Sequence, residues 1–185
     1  MRRFRSSNPT TRGQSAAREA THPPGPSGPV SGLPRDVYFE DAVIGFEFRS
    51  PSRTVSHADI LQFAELTGDR TALHTDPDVA RRGPFGRPIA HGVFGVSLMV
   101  GLKSQLKLYE KTSIAALGWD KVRYHRPIFA GDTLRVSVKY LAKRISETDP
   151  GRGILTECVT LLNQDDETVT TGEHAIMLRL RDVAR

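Results

Sequence analysis

Cysteine is almost missing from this sequence: Cys158 is the only one in 185 residues. That excludes an intramolecular disulfide and removes the chain from the small, disulfide-stapled class. Set in an apolar strand pattern, Cys158 reads as a small core residue in a reducing compartment. Long apolar runs are scarce too. The best stretch, around residues 93–108, is broken by Lys103 and Lys107, so no segment suits a bilayer crossing and no membrane role is expected. Behind the opening Met1-Arg2-Arg3-Phe4-Arg5 no apolar run of signal-peptide length follows. Export is therefore not expected, and the predicted location is the cytoplasm.

A further shortage is local. Residues 1–35 hold six of the twelve prolines but hardly an aromatic or branched apolar residue, so they cannot bury enough surface to offset the entropy of ordering. They are predicted to be a disordered tail, which leaves residues 36–185 as a single domain with room for a sizeable core. The charge divides at the same place. Arg2, Arg3, Arg5, Arg12, Arg18 and Arg35 stand against Glu19 alone, which accounts for the whole formal charge of +5. A basic face is not expected on the fold, and with it a nucleic-acid partner loses its main support.

Regular structure is marked clearly in what remains. Ser56-His57-Ala58-Asp59 has the form of a capping box, and Ile60, Phe63, Ala64 and Thr67 follow at helical spacing up to a Gly68 stop. Asp76-Pro77 predicts an N-cap and first turn of a short helix running to about Arg82. A loop with special backbone needs, residues 83–88, leads into a helix predicted from about His91 to Tyr109. Its apolar residues Val93, Phe94, Val96, Leu98, Met99, Val100 and Leu102 cover most of the circumference, so it should be wrapped. Gly92, Gly95 and Gly101 weaken it by about 1 kcal/mol each relative to alanine. Close approach to its backbone is the expected return.

Residues 37–49 suit a short lead-in followed by an edge strand. Beyond residue 112 the period changes to two, and strands are predicted over 114–125, 133–145, 154–162 and 168–181, joined by turn chemistry at 127–132, 149–151 and 163–166. Short turns between consecutive strands imply an antiparallel meander. With one long apolar helix, the fold class is α+β, a sheet curled around a helix.

The residues that carry chemistry crowd into 63–92. Asp69 is the first residue off a helix, His74 lies on the following turn, and Gly92 opens the apolar helix. A carboxylate, an imidazole and the free amides of a helix start are what is needed to activate a water beside a polarised carbonyl. His74-Thr75-Asp76 offers no third metal ligand at useful spacing, so no metal is expected. His57, His91 and His125 read as structural, with His91 a cap of the helix. Ser97, one turn into the helix, is a candidate polar contact, with a helix-bonded hydroxyl as its alternative.

The run from Phe63 to Ala80 resembles the hydratase signature of the type 2, (R)-specific enoyl-CoA hydratases and MaoC-like dehydratases: an aromatic residue, Gly-Asp, four residues, His, then Ala after five more. Phe63, Gly68, Asp69, His74 and Ala80 fit it. Gly86-Arg87-Pro88-Ile89-Ala90-His91-Gly92 and the later segment from Arg123 to Leu134 are similar to that family as well, so the resemblance spans roughly residues 37–182. It implies the hot-dog fold, no cofactor, and a hydro-lyase acting on acyl thioesters of CoA or acyl carrier protein. In that reading Asp69 and His74 hold and activate the water, and the Gly92 amide polarises the thioester carbonyl. Phe63, Phe85 and Phe94 are candidates for shaping the acyl pocket, and the resemblance implies a homodimer. Where the family has Asn-Pro, this chain has Thr71-Ala72, so the turn between the two catalytic candidates loses a stiff residue; the Thr71 hydroxyl is a possible substitute. Hot-dog thioesterases and non-catalytic acyl-thioester binders are the alternative functions.

Overall fold

The computed structural model describes residues 35–181. The predicted disordered tail lies, but for its last residue, outside the described residues. The chain orders as β1 (Glu47–Arg49), β2 (Arg53–Thr54), α1 (His57–Thr67), α2 (Ala72–Thr75), α3 (Pro77–Arg82), α4 (Gly92–Ser104), β3 (Ser113–Tyr124), β4 (Thr133–Ile145), β5 (Arg152–Leu162) and β6 (Thr168–Arg179).

Local chemistry accounts for the helix boundaries. The Ser56 side chain accepts from the Asp59 amide at 3.1 Å while the Asp59 carboxylate accepts from the Ser56 amide at 2.8 Å, so the capping box is present. Gly68 closes α1 at φ 77°, where a side chain would be strained. Asp76 caps α3 by accepting from Asp78 and Val79, with Pro77 in the first turn. The helix α4 is shorter than the apolar pattern suggested, ending at Ser104 rather than Tyr109. Lys107 turns to φ 56° just beyond it, and residues 105–112 double back so that Leu108 and Thr112 are buried.

The sheet corrects the predicted meander. Its order is β1-β4-β5-β6-β3, all neighbours antiparallel, so β3 lies against β6 at the far edge and not beside β4. The β3–β4 connection is no hairpin: Ile128 accepts from the Ala90 amide at 2.8 Å and Asp132 from the Val55 amide at 2.8 Å, which ties it to the segments before α4 and α1. The predicted lead-in and edge strand stand as read: Gly45 turns at φ 88° and Glu47–Arg49 pairs with β4 at the sheet edge.

The core lies between α4 and the inner sheet face, where Phe94, Leu98, Met99 and Leu102 meet Val136, Val138, Leu155, Val159, Leu161 and Leu178. The wrapping of α4 is one-sided: Val93 is 56% and Val100 43% exposed. Close approach is real at Gly95, where a Cβ would stand 3.0 Å from Ile128 Cδ1, and absent at Gly101, which faces open space.

Candidate active site

Asp69, His74, His91 and Gly92 come together through two turns. Asp69 follows the α1 stop directly, and its carboxylate stays half exposed. Oδ1 accepts from the Thr71 hydroxyl at 2.6 Å and from the Thr71 amide at 3.2 Å. Those two hydrogen bonds, hydroxyl first, hold the Asp69 carboxyl below the usual carboxylate range, so it is an anion at neutral pH. The substitution of Thr71 for the family asparagine therefore keeps a side-chain partner in this turn. Ala72 stands at the first position of α2, where an amide has no intrahelical acceptor in any case.

His74 rides on the single turn of α2. Its Nδ1 lies 2.7 Å from the Ile89 carbonyl, a contact that requires the proton on Nδ1 and leaves the lone pair on Nε2 in the neutral ring. Behind it lies His91, 3% exposed, with ring centroids 3.8 Å apart. His91 Nε2 donates to the Asp69 backbone carbonyl at 2.8 Å and lies 3.9 Å from Asp69 Oδ2. His91 makes no side-chain cap to α4, so the expected capping role gives way to bracing the Asp69 turn. Its position directly before Gly92 was the only sequence signal for this.

A third group therefore does join Asp69 and His74, contrary to the sequence reading of the His74–Asp76 pair: ligand atoms of Asp69, His74 and His91 lie within 4.8 Å of one another. With His91 Nε2 committed to a carbonyl, His91 Nδ1 unpartnered but sealed in the interior, and His74 Nδ1 on another carbonyl, the Asp69 carboxylate and His74 Nε2 remain open. Two such acceptors can take both protons of one water, and they fall short of the three protein ligands usual for catalytic zinc.

Beside them opens a cavity of about 330 Å³ whose walls include His74, Phe85, His91, Gly92, Tyr124 and Arg126. Gly92 begins α4, and its amide has no acceptor among the described residues. A Cβ at this position would stand 2.8 Å from the Tyr124 ring, so only glycine brings the helix start against that wall. Phe85 lines the cavity. Phe63 and Phe94 do not; they form an edge-on pair at 5.4 Å, with Phe63 also 5.3 Å from His91, and thus back the site from the core. The Ser97 hydroxyl donates to the Val93 carbonyl at 3.0 Å and lines neither this cavity nor the other one along α4.

A helix held across an antiparallel sheet is the hot-dog arrangement, and a Mycobacterium tuberculosis protein described as a double hot-dog fold superposes with a TM-score of 0.66. The model of the MaoC like domain matches residues 41–159, and the chain belongs to that family. It is 35% identical over 127 residues to the (R)-specific enoyl-CoA hydratase of Aeromonas caviae, covering 69% of this chain and 89% of that one. Protein MaoC of Klebsiella aerogenes is 33% identical over 108 residues, 58% of this chain; the chain spans only 32% of that relative's length. The crystal structure of a monoamine oxidase regulatory protein from Archaeoglobus fulgius superposes with a TM-score of 0.75 at 34% identity, covering 81% of this chain and 99% of that one.

Two substitutions probe the turn. Thr71→Val removes the hydroxyl while keeping the shape, and the Asp69 pKa should move up toward the ordinary aspartate value, as read by carboxyl-carbon NMR titration. Ala72→Pro fits the first helical position, and Thr71 at φ −52°, ψ 131° already has the backbone that a following proline demands. Urea unfolding should show a gain of about 0.4–1 kcal/mol, because the unfolded chain loses freedom.

Proposed function

We propose that this protein is a hydro-lyase that reversibly hydrates trans-2-enoyl thioesters of CoA or acyl carrier protein to the (R)-3-hydroxyacyl form. The observation that carries this reading is that His74 and Gly92, whose amide has no acceptor among the described residues, line one cavity, with the Asp69 carboxylate behind them, within 4.8 Å of the His74 ring nitrogen. Water held between the carboxylate and the imidazole loses a proton to this pair as its oxygen bonds to the β-carbon. The π electrons shift toward the α-carbon and the thioester oxygen, where the Gly92 amide and the positive end of α4 stabilise the enolate. The α-carbon then takes up a proton, and product leaves with the elements of water added. One amide donor of this kind is worth about 3 kcal/mol in the transition state, and a placed acid or base about a hundredfold in rate. Together they support hydration without a metal or organic cofactor. His91 acts through Asp69, as a positioning residue.

The assembly consistent with this reading is a homodimer joined along β3. That edge strand is mostly exposed and carries Ile114, Leu117 and Tyr124, and the uncovered Val93 of α4 is exposed as well. An unpaired edge with an apolar surface calls for a cover.

With crotonyl-CoA or a longer enoyl thioester, loss of the enoyl absorbance should be catalysed, and Asp69→Asn and His74→Ala should each slow it by about a hundredfold or more. Unchanged rates in both variants, or release of free thiol without hydrated product, would overturn the assignment. In sedimentation, the wild type should run as a dimer and Leu117→Glu should shift it toward monomer; a monomeric wild type removes the β3 interface.

A further inference from the structure

A second cavity lies at the other end of α4. It measures about 300 Å³, with Val100, Leu108, Trp119 and Ile176 on its apolar wall and Lys103 and His174 among its lining. No residue lines both cavities. Along the helix, Gly92 and Lys103 stand about 16 Å apart at 1.5 Å per residue.

The polar end is part of a buried network. Lys103, 7% exposed, makes an ion pair with Glu157, which is fully buried on β5. Glu157 Oε1 also accepts from the Tyr109 hydroxyl at 2.6 Å, and that hydroxyl lies 2.7 Å from the Tyr140 hydroxyl. Burial pushes the Glu157 carboxyl upward, but the Lys103 ammonium and the Tyr109 hydroxyl beside it outweigh that, so the group stays an anion. Both tyrosines are pushed far above their ordinary range, mainly by burial, and remain neutral. Burying an ion pair costs several kcal/mol per ion, and a well-packed apolar set at such a place is often at least as stable. Core stability alone is thus a poor account of the network.

Its unused hydrogen-bonding capacity is more telling. His174 Nδ1 lies 2.9 Å from Lys103 Nζ and 3.4 Å from Glu157 Oε2. The shorter contact makes Nδ1 an acceptor from the ammonium, which puts the ring proton on Nε2. His174 is 4% exposed, yet its Nε2 has no partner among the described residues and keeps some accessible surface. Lys103 has three N–H donors, two of them in hydrogen bonds, and its Nζ lies 5.6 Å from the centroid of the Tyr109 ring. Donors without acceptors therefore face the end of an apolar cavity. The pair of Lys103 and Glu157 is already neutral, so a carboxylate there would bring an uncompensated charge out of water.

We propose that this cavity is a ligand site for an alkyl chain bearing a neutral, hydrogen-bond-accepting oxygen, such as a keto or ester group, received by Lys103 and His174. The chain packs on Trp119 and Ile176. Such an oxygen can belong to the far end of an acyl substrate or to a separate neutral lipid.

Trp119 is the only tryptophan and stacks on His174 with centroids 4.5 Å apart, so its fluorescence reports this cavity and not the one at Gly92. A medium-chain methyl ketone titrated into the full-length protein should change that emission saturably. An alkane of equal length should bind about tenfold more weakly, the worth of one or two net hydrogen bonds. The fatty acid anion of equal length should also bind more weakly than the ketone. His174→Phe keeps the stacking and should weaken the ketone, narrowing but not erasing its margin over the alkane, since Lys103 remains; the wild-type series stands without it should that variant fail to fold. No saturable response, equal binding of alkane and ketone, or tighter binding of the anion overturns the proposal. Turnover then separates the two sources: a ketone that raises KM for an enoyl thioester at constant kcat marks the substrate's own chain, and unchanged kinetics mark a separate lipid. The fluorescence titration needs no turnover, so it decides this site even if the hydratase reading fails.

Discussion

One hydrogen bond, from His91 Nε2 to the Asp69 carbonyl, joins the end of α1 to the beginning of α4. The half that carries Asp69 and His74 is not rigid alone. The turn after Gly68 is exposed, and α2 is a single turn that could not persist by itself. With His91 buried against His74 and Phe63, the turn is fastened to a helix that the core holds in place. The His74–Ile89 contact does the same for the imidazole, setting both its direction and its tautomer. The proposed reacting groups are loop residues whose positions are inherited from α4.

The helix in turn has unequal ends. Near Gly92 it offers unpaired amides to a cavity and tolerates no side chain against Tyr124. Near Lys103 it carries a positive charge into the core, where Glu157 from β5 and His174 from β6 meet it. Apolar residues between the two ends make the packing, so the charged group is the exception that specifies which face of α4 turns toward the sheet.

Much of this was legible in the sequence where the signal was local. The capping box at Ser56, the Gly68 stop, the Asp76-Pro77 start and the four long strands need only neighbouring residues, and they stand where the pattern put them. What depended on distant partners was not legible. Strand periodicity carries no information on neighbours, so β3 was assigned beside β4 although it pairs with β6. Helical periodicity could not show that α4 stops at Ser104, because Leu106 and Leu108 continue the apolar pattern through a turn that is buried for other reasons. Around the site, Asp69, His74 and Gly92 followed from motif and chemistry. His91 was read as a cap because its partner is a carbonyl 22 positions away, and the Lys103 network was invisible because its members come from α4, the turn beyond it and three separate strands.

The place of β3 has a consequence for the order of folding. The β4–β5 and β5–β6 pairs close over short turns, but Ser113 must find Leu178 across the whole of β4 and β5. Loop closure of that length is entropically the last to be rewarded. During synthesis β3 leaves the ribosome before β4, β5 and β6 exist, with Ile114 and Leu117 on a strand that has no neighbour. Until the C-terminal strand arrives, that segment is the chain's most adhesive part, and shortening the sequence from its C-terminal end would leave it permanently so.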